Sequence, residues 1–228
     1  MVLILGALLA LLTGPVLLVL AAVVALVLAG VAYLYADRVV LGISHARAVS
    51  PDEEPRYHNL VEGLCVSAGL PKPELYVVDD ATANSFATGR NPAHAAIVVT
   101  TGLLRKLSRM ELEGILAHEL AHIRSNDTLV TSLGTALVGL PLMPAGPLSD
   151  RLLAALVGRG RERDADIGGV RLTRYPPGLA AALEKLRHDG PAALPASRAT
   201  AHLWISSPLD TDAGAGRLDE RIAALRDM

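Results

Sequence analysis

Residues 118–122 read His118-Glu119-Leu120-Ala121-His122. Side chains four positions apart share one face of a helix, so both imidazoles can reach a single metal ion. Glu119, beside the first histidine, reaches a water on such an ion rather than the ion itself. A carboxylate there is placed as a general base. Zinc lowers the pKa of its water toward about 7, and Glu119 takes the proton as hydroxide attacks a peptide carbonyl. It then passes that proton to the leaving amine. The five-residue pattern alone is only moderately specific. Chance gives it in roughly one sequence per hundred at this histidine content, and an amphipathic helix with two partly exposed histidines explains it too.

A catalytic zinc needs three protein ligands and an open position. The extended motif with a third histidine on the same helix fails, because Ser125 and Thr128 occupy its glycine and histidine positions. The better candidate is Glu162, in Arg161-Glu162-Arg163-Asp164-Ala165-Asp166. Glu162 and Asp166 are again four apart, so Glu162 could bind the ion while Asp166 accepts the second N–H of a ligand histidine. Read alone, the run is better explained as a solvated, charged helix face. For the oxyanion of the tetrahedral intermediate, His202 and Arg161 are both candidates, and the sequence does not choose between them.

The elements that must position these groups are partly legible. Ser108 and Glu111 form a capping box ahead of Leu112, Ile115, Leu116 and Leu120, a helical apolar stripe. Residues 57–68 predict a helix ended by Gly69, and Glu74–Val78 alternates like a strand. Residues 84–91 read as a loop, and Ala95–Thr101 is the best strand in the chain. Asn126 and Asp127 are expected to cap or brace the end of the motif helix, with a further helix over 126–140. His45, His58, His94 and His188 lack ligand spacing and are expected at the surface, whereas Cys65 and Trp204 are expected in the core.

The chain has 228 residues, enough for one core-bearing domain plus a membrane segment. Hydrophobic residues make up 51% of it, and no charged side chain precedes Asp37. Val16–Ala36 would span about 31 Å as a helix, the thickness of a bilayer core, with Tyr33 and Tyr35 at its far end. Thr13-Gly14-Pro15 reads as a break. Residues 1–36 are therefore expected as one span with an apolar leader or as a hairpin of two helices. No basic residue comes before Arg38, which argues against a cleaved signal peptide. Arg38, His45, Arg47 and Arg56 follow the span, so the rest of the chain is expected on the cytoplasmic side of the cell membrane. This divides the chain into an anchor over 1–36 and a catalytic domain over 37–228. The uncharged stretch 128–149, broken by Pro141, Pro144 and Pro147, is a candidate for further membrane association. A net charge of −2 with no basic block suggests no nucleic-acid partner. The single cysteine allows neither an internal disulfide nor a cysteine-based zinc site. Nothing in the sequence addresses the oligomeric state.

The chain resembles the HtpX-type membrane zinc peptidases, relatives of the CAAX prenyl endopeptidases, over roughly residues 37 to 225. The landmarks are Asn84-Ser85-Phe86-Ala87-Thr88-Gly89, Ile97-Val98-Val99-Thr100-Thr101-Gly102-Leu103-Leu104, His118–Ile123, Asn126-Asp127 and the Arg161–Asp166 run. The resemblance implies an α+β, mainly helical, gluzincin-like domain with a small sheet, attached to an N-terminal transmembrane helix or hairpin. It implies one zinc ion per chain, held by His118, His122 and Glu162, with Glu119 as the catalytic glutamate. It further implies proteolytic quality control of membrane or misfolded proteins, with membrane lipid around the anchor. Ala95–Thr101 would be an edge strand that holds an extended peptide substrate, which an added strand does regardless of side chain. The pattern departs from the family in two places. The family's pair of membrane helices before the Glu162 helix is reduced to 128–149, and its Thr-His-Pro-Pro is missing before the last helix. The rival reading is a membrane-anchored, non-catalytic regulatory module that uses zinc for structure. Glu119 argues against it, since a structural site needs no general base.

Overall fold

The computed structural model describes residues 2–136, 160–189, 200–207 and 212–228. The chain forms two compact units, residues 1–35 and 36–228. Helix α1 runs without interruption over Val2–Ile43. Thr13-Gly14-Pro15 is therefore not a break, and the two-helix hairpin does not form. A proline costs one intrahelical hydrogen bond, but an apolar run offers the backbone no other partners, so helix persists through it. Within the first unit the large apolar side chains from Val16 to Tyr35 stay exposed, Leu26 at 75%. Val16–Ile43 is long and apolar enough to cross a bilayer. The helix also consumes residues 37–43, which the sequence reads as linker.

The second unit is built on a four-stranded sheet. Its strands are β1 (Arg47–Ala48), β2 (Glu74–Val78), β3 (Ser85–Asn91) and β4 (His94–Thr100), in spatial order β1-β2-β4-β3. Strand β4 pairs parallel to β2 and antiparallel to β3. Two expectations are corrected here. Residues 85–91 form a strand rather than a loop, and the strand expected at the edge, β4, lies inside the sheet between β2 and β3, with Thr101 already in the following helix. The continuous apolar run of β4 follows from burial on both faces. Ile97 and Val99 point to the main core, while Val98 packs with Val78, Phe86 and Trp204.

Helices cover the sheet. Among the described residues they are α2 (Pro55–Ala68), α3 (Thr101–Lys106), α4 (Arg109–Ser125), α5 (Asp127–Gly134), α6 (Arg161–Thr173), α7 (Pro176–Asp189) and α8 (Asp212–Arg226). Gly69 ends α2 in the left-handed conformation, at φ 66°. His58 on α2 is buried, its Nε2 3.0 Å from the Val49 carbonyl, and so is not the expected surface histidine. The turn before α2 packs against the chain and hides it. Helix α4 starts at the expected capping box and carries Leu112, Ile115, Leu116 and Leu120 into the core against Leu179, Leu183 and Leu186 of α7. Helix α5 lies against β3 through Thr128, Thr131 and Ser132, a small hydroxylated face. The remainder of the stretch proposed for membrane association, 137–149, lies outside the described residues.

The closest helix pair is α4 with α6. A Cβ on Gly169 would sit 2.9 Å from the His118 backbone nitrogen, and one on Gly168 would sit 2.7 Å from Ala121 Cβ. Only glycine permits that approach. Adding a methyl in a free helical site would raise helix propensity by about 1 kcal/mol. Here overpacking should reverse the sign. Gly169→Ala is expected to destabilise the detergent-solubilised protein by about 1–3 kcal/mol in chemical denaturation; a stabilised variant would contradict this close packing.

Candidate metal centre

Helix α4 presents His118, Glu119 and His122 in its last two turns, all under 7% exposed. Helix α6 brings Glu162 and Asp166 against them. The Nε2 atoms of His118 and His122 are 3.2 Å apart. Glu162 Oε2 is 3.5 Å from His118 Nε2, and Glu162 Oε1 is 3.5 Å from His122 Nε2. An ion about 2.0–2.1 Å from three tetrahedrally arranged donors separates them by about 3.3 Å. The observed spacings match that triangle.

The outer contacts fix the chemistry of the donors. Asp166 Oδ1 lies 2.9 Å from His118 Nδ1, and Asp127 Oδ2 lies 3.2 Å from His122 Nδ1. A carboxylate on each Nδ1 keeps the ring proton there and turns the Nε2 lone pair inward. Two lone pairs and a carboxylate then converge on one point, an arrangement that calls for a cation between them. Without a metal, a proton takes the place between the donors. Burial pulls the His118 imidazole down, but hydrogen bonds to Asp166 and Glu162 outweigh it and raise the group to about 9. Burial likewise opposes the charge on Glu162, yet His118 and His122 hold it well below the usual carboxylate range. The residues present fit a divalent metal.

Glu119 stands beside the cluster without belonging to it. Burial raises its proton affinity, against the pull of the neighbouring histidines. Ser85 at the start of β3 donates a 2.6 Å hydrogen bond to Glu119 Oε1. Arg161 Nη2 donates to Glu162 Oε1 at 3.1 Å and to the His202 carbonyl at 3.3 Å. The His202 ring turns elsewhere. Its Nε2 makes two long contacts of 3.4 Å, to the Thr131 carbonyl and the Thr135 hydroxyl, and its Nδ1 is buried without a hydrogen-bond partner among the described residues.

Two partners escaped the sequence reading. Ser85 gives no local sign of its bond to a residue on another element. Arg221 of α8 holds Asp166 through Nε–Oδ2 and Nη2–Oδ1, both at 2.7 Å, and donates from Nη1 to Glu162 Oε2 at 3.2 Å. In the sequence Arg221 is one charge among several in the last helix.

A family-wide sequence profile described as Peptidase family M48 matches residues 51–227. The chain belongs to this family. M48 membership joins the geometry to an activity: the protein is a metallopeptidase acting on peptide or protein substrates. Among related sequences, a "Protease HtpX homolog" of Ralstonia nicotianae is 36% identical over 235 aligned positions, covering 86% of this chain and 82% of the relative. The homolog of the same name from Tropheryma whipplei (strain Twist) is 37% identical over 212 positions, covering 78% and 72%. That of Dictyoglomus turgidum is 34% identical over 234, covering 86% and 77%. No feature of this M48 site favours the non-catalytic module.

Burial lowers the His202 pKa from 6.5 to about 4, with the nearby Arg161 charge adding to it against the Thr131 carbonyl. Between these two values the unfolded chain binds the proton more readily than the folded one. The contribution of His202 is therefore complete above pH 6.5 and is lost as pH falls toward 4. In the metal-free protein, His202→Asn should flatten the acid limb of stability against pH by up to one proton, about 1.4 kcal/mol per pH unit. An unchanged slope would show that His202 is not held neutral by burial.

Proposed function

We propose that the protein is a zinc-dependent endopeptidase of the cell membrane, with its catalytic unit on the cytoplasmic side, that cleaves membrane or misfolded proteins. One observation carries this reading: His118 Nε2, His122 Nε2 and the Glu162 carboxylate come within 4.8 Å of one another, with Glu119 buried beside them. Two histidines and a carboxylate suit zinc. Zinc bound there would act as a Lewis acid, acidifying a water and polarising the scissile carbonyl.

The side chains do the rest. Glu119 takes the proton of the attacking water and delivers it to the leaving nitrogen. Its raised proton affinity suits both steps, and the Ser85 hydroxyl holds the carboxylate in place. Arg161, whose guanidinium lies against Glu162, stabilises the oxyanion. His202 serves less well, since its ring is neutral and turned onto α5. The substrate adds as a strand to β3. The Ser85 carbonyl already accepts a hydrogen bond from Ile205 N on the side away from β4, and the Gly89 N–H reaches Ser132 Oγ on that side. Ala87 lies between them with its backbone turned the same way; it is buried, so a strand added along this edge must displace the Ile205 and Ser132 contacts.

Anchoring is supported by the exposed apolar side chains of Val16–Tyr35 and by the length of Val16–Ile43, enough to cross a bilayer. The cytoplasmic placement rests on the basic residues Arg38, Arg47 and Arg56 that follow the span. The test is metal content and casein hydrolysis side by side. Wild type should bind one zinc and cleave; Glu119→Gln should keep the zinc and lose cleavage by about 10²–10⁴-fold; Glu162→Ala should lose the zinc. Wild type without metal, or Glu119→Gln cleaving like wild type, would refute the mechanism.

A further inference from the structure

We infer that Arg221 is a positioning residue of the metal centre: from the C-terminal helix it fixes both the carboxylate ligand and the aspartate that orients His118. The inference rests on the reading that His118, His122 and Glu162 hold the metal.

The contacts made by Arg221 are more demanding than those of an ordinary ion pair. Its guanidinium meets Asp166 side-on through two parallel 2.7 Å hydrogen bonds, a geometry that fixes the plane of the carboxylate as well as its position. Asp166 Oδ1, one of the two oxygens so held, is the atom 2.9 Å from His118 Nδ1. The third nitrogen of the fork reaches Glu162 Oε2 at 3.2 Å, and that same oxygen faces His118 Nε2. The other Glu162 oxygen is held by Arg161. The ligand carboxylate is thus gripped at both ends, and the second grip is shared with the aspartate one helical turn away. Among the described residues, Arg221 is the side chain that bonds to both carboxylates.

Fastening α8 to the body does not require this arrangement. Leu218, Ile222 and Leu225 of the same helix are buried in the main core. An apolar residue in place of a buried ion pair often fastens a helix equally well. The Arg221 side chain is only 11% exposed and is spent on the two carboxylates nearest the donors. Without it, Glu162 and Asp166 stand one turn apart as like charges, Asp166 loses the fork that sets its plane, and Glu162 keeps only the Arg161 contact on its other oxygen. Outer contacts of this kind are worth about 10–100-fold in metal affinity.

The test measures the zinc dissociation constant of the full, detergent-solubilised chain by chelator competition, together with the unfolding midpoint of the metal-free protein. Arg221→Met keeps the apolar stem and removes the fork; it should weaken zinc binding by about 10–100-fold. Arg221→Lys keeps the charge and safeguards folding, but one ammonium cannot span the three oxygens, so it should still lose affinity severalfold. Leu225→Ala loosens α8 without touching the cluster. It should lower the unfolding midpoint while leaving zinc affinity within about twofold, as expected for a site it does not contact. The inference is overturned if Arg221→Met and Arg221→Lys bind zinc like wild type, or if Leu225→Ala weakens binding as much as Arg221→Met. Wild type that binds no zinc, or Glu162→Ala with wild-type affinity, would overturn the site reading itself and this inference with it.

Discussion

Buried charge is the constraint around which the catalytic unit is arranged. Glu119, His118, His122 and Asp166 are almost wholly removed from solvent, a costly state unless each group finds a partner. Their partners come from elements far apart in the chain: Ser85 from β3, Asp127 from the start of α5, Arg161 and Glu162 from α6, Arg221 from α8. Each element must therefore dock correctly before the charges are satisfied. The glycine pair at 168–169 makes this possible, since it lets the α6 backbone approach α4 closely enough for Glu162 and Asp166 to reach the imidazoles.

That network also explains how a site can be rigid and still open. Its inner groups are locked by carboxylates and guanidiniums, while the Glu162 side chain remains one-third exposed. Preorganised donors of this kind cost no rearrangement when charge develops. Ser85, the first residue of β3, ties the sheet into the same network through its bond to Glu119.

What the sequence made legible was local. The capping box of Ser108 and Glu111 and the apolar stripe of α4 are written in neighbouring residues and fall where expected; the spacings of His118/His122 and Glu162/Asp166 are equally local, and α4 and α6 bring these side chains together. Spacing alone could not separate Glu162 from a solvated helix face; the resemblance to the peptidase family tipped that choice. Strand β3 was misread because Ser85-Phe86-Ala87-Thr88-Gly89 is covered on both faces, which removes the alternation that marks a half-buried strand. The edge role of Ala95–Thr101 came only from the resemblance, and the apolar run of β4 is better suited to the middle of a sheet. The proline at position 15 looked like a boundary and was not one. Arg221 carried no local signal, because its meaning lies entirely in two carboxylates on another helix.

The central claim is that His118 Nε2, His122 Nε2 and Glu162 form a single zinc site. Zinc-edge X-ray absorption of the loaded protein tests it most directly. The account predicts two imidazole nitrogens and light oxygen donors at about 2.0–2.2 Å, with the carboxylate contribution lost and the remaining shell rearranged in Glu162→Gln. A spectrum dominated by sulfur, by four imidazoles, or unchanged in Glu162→Gln would contradict it.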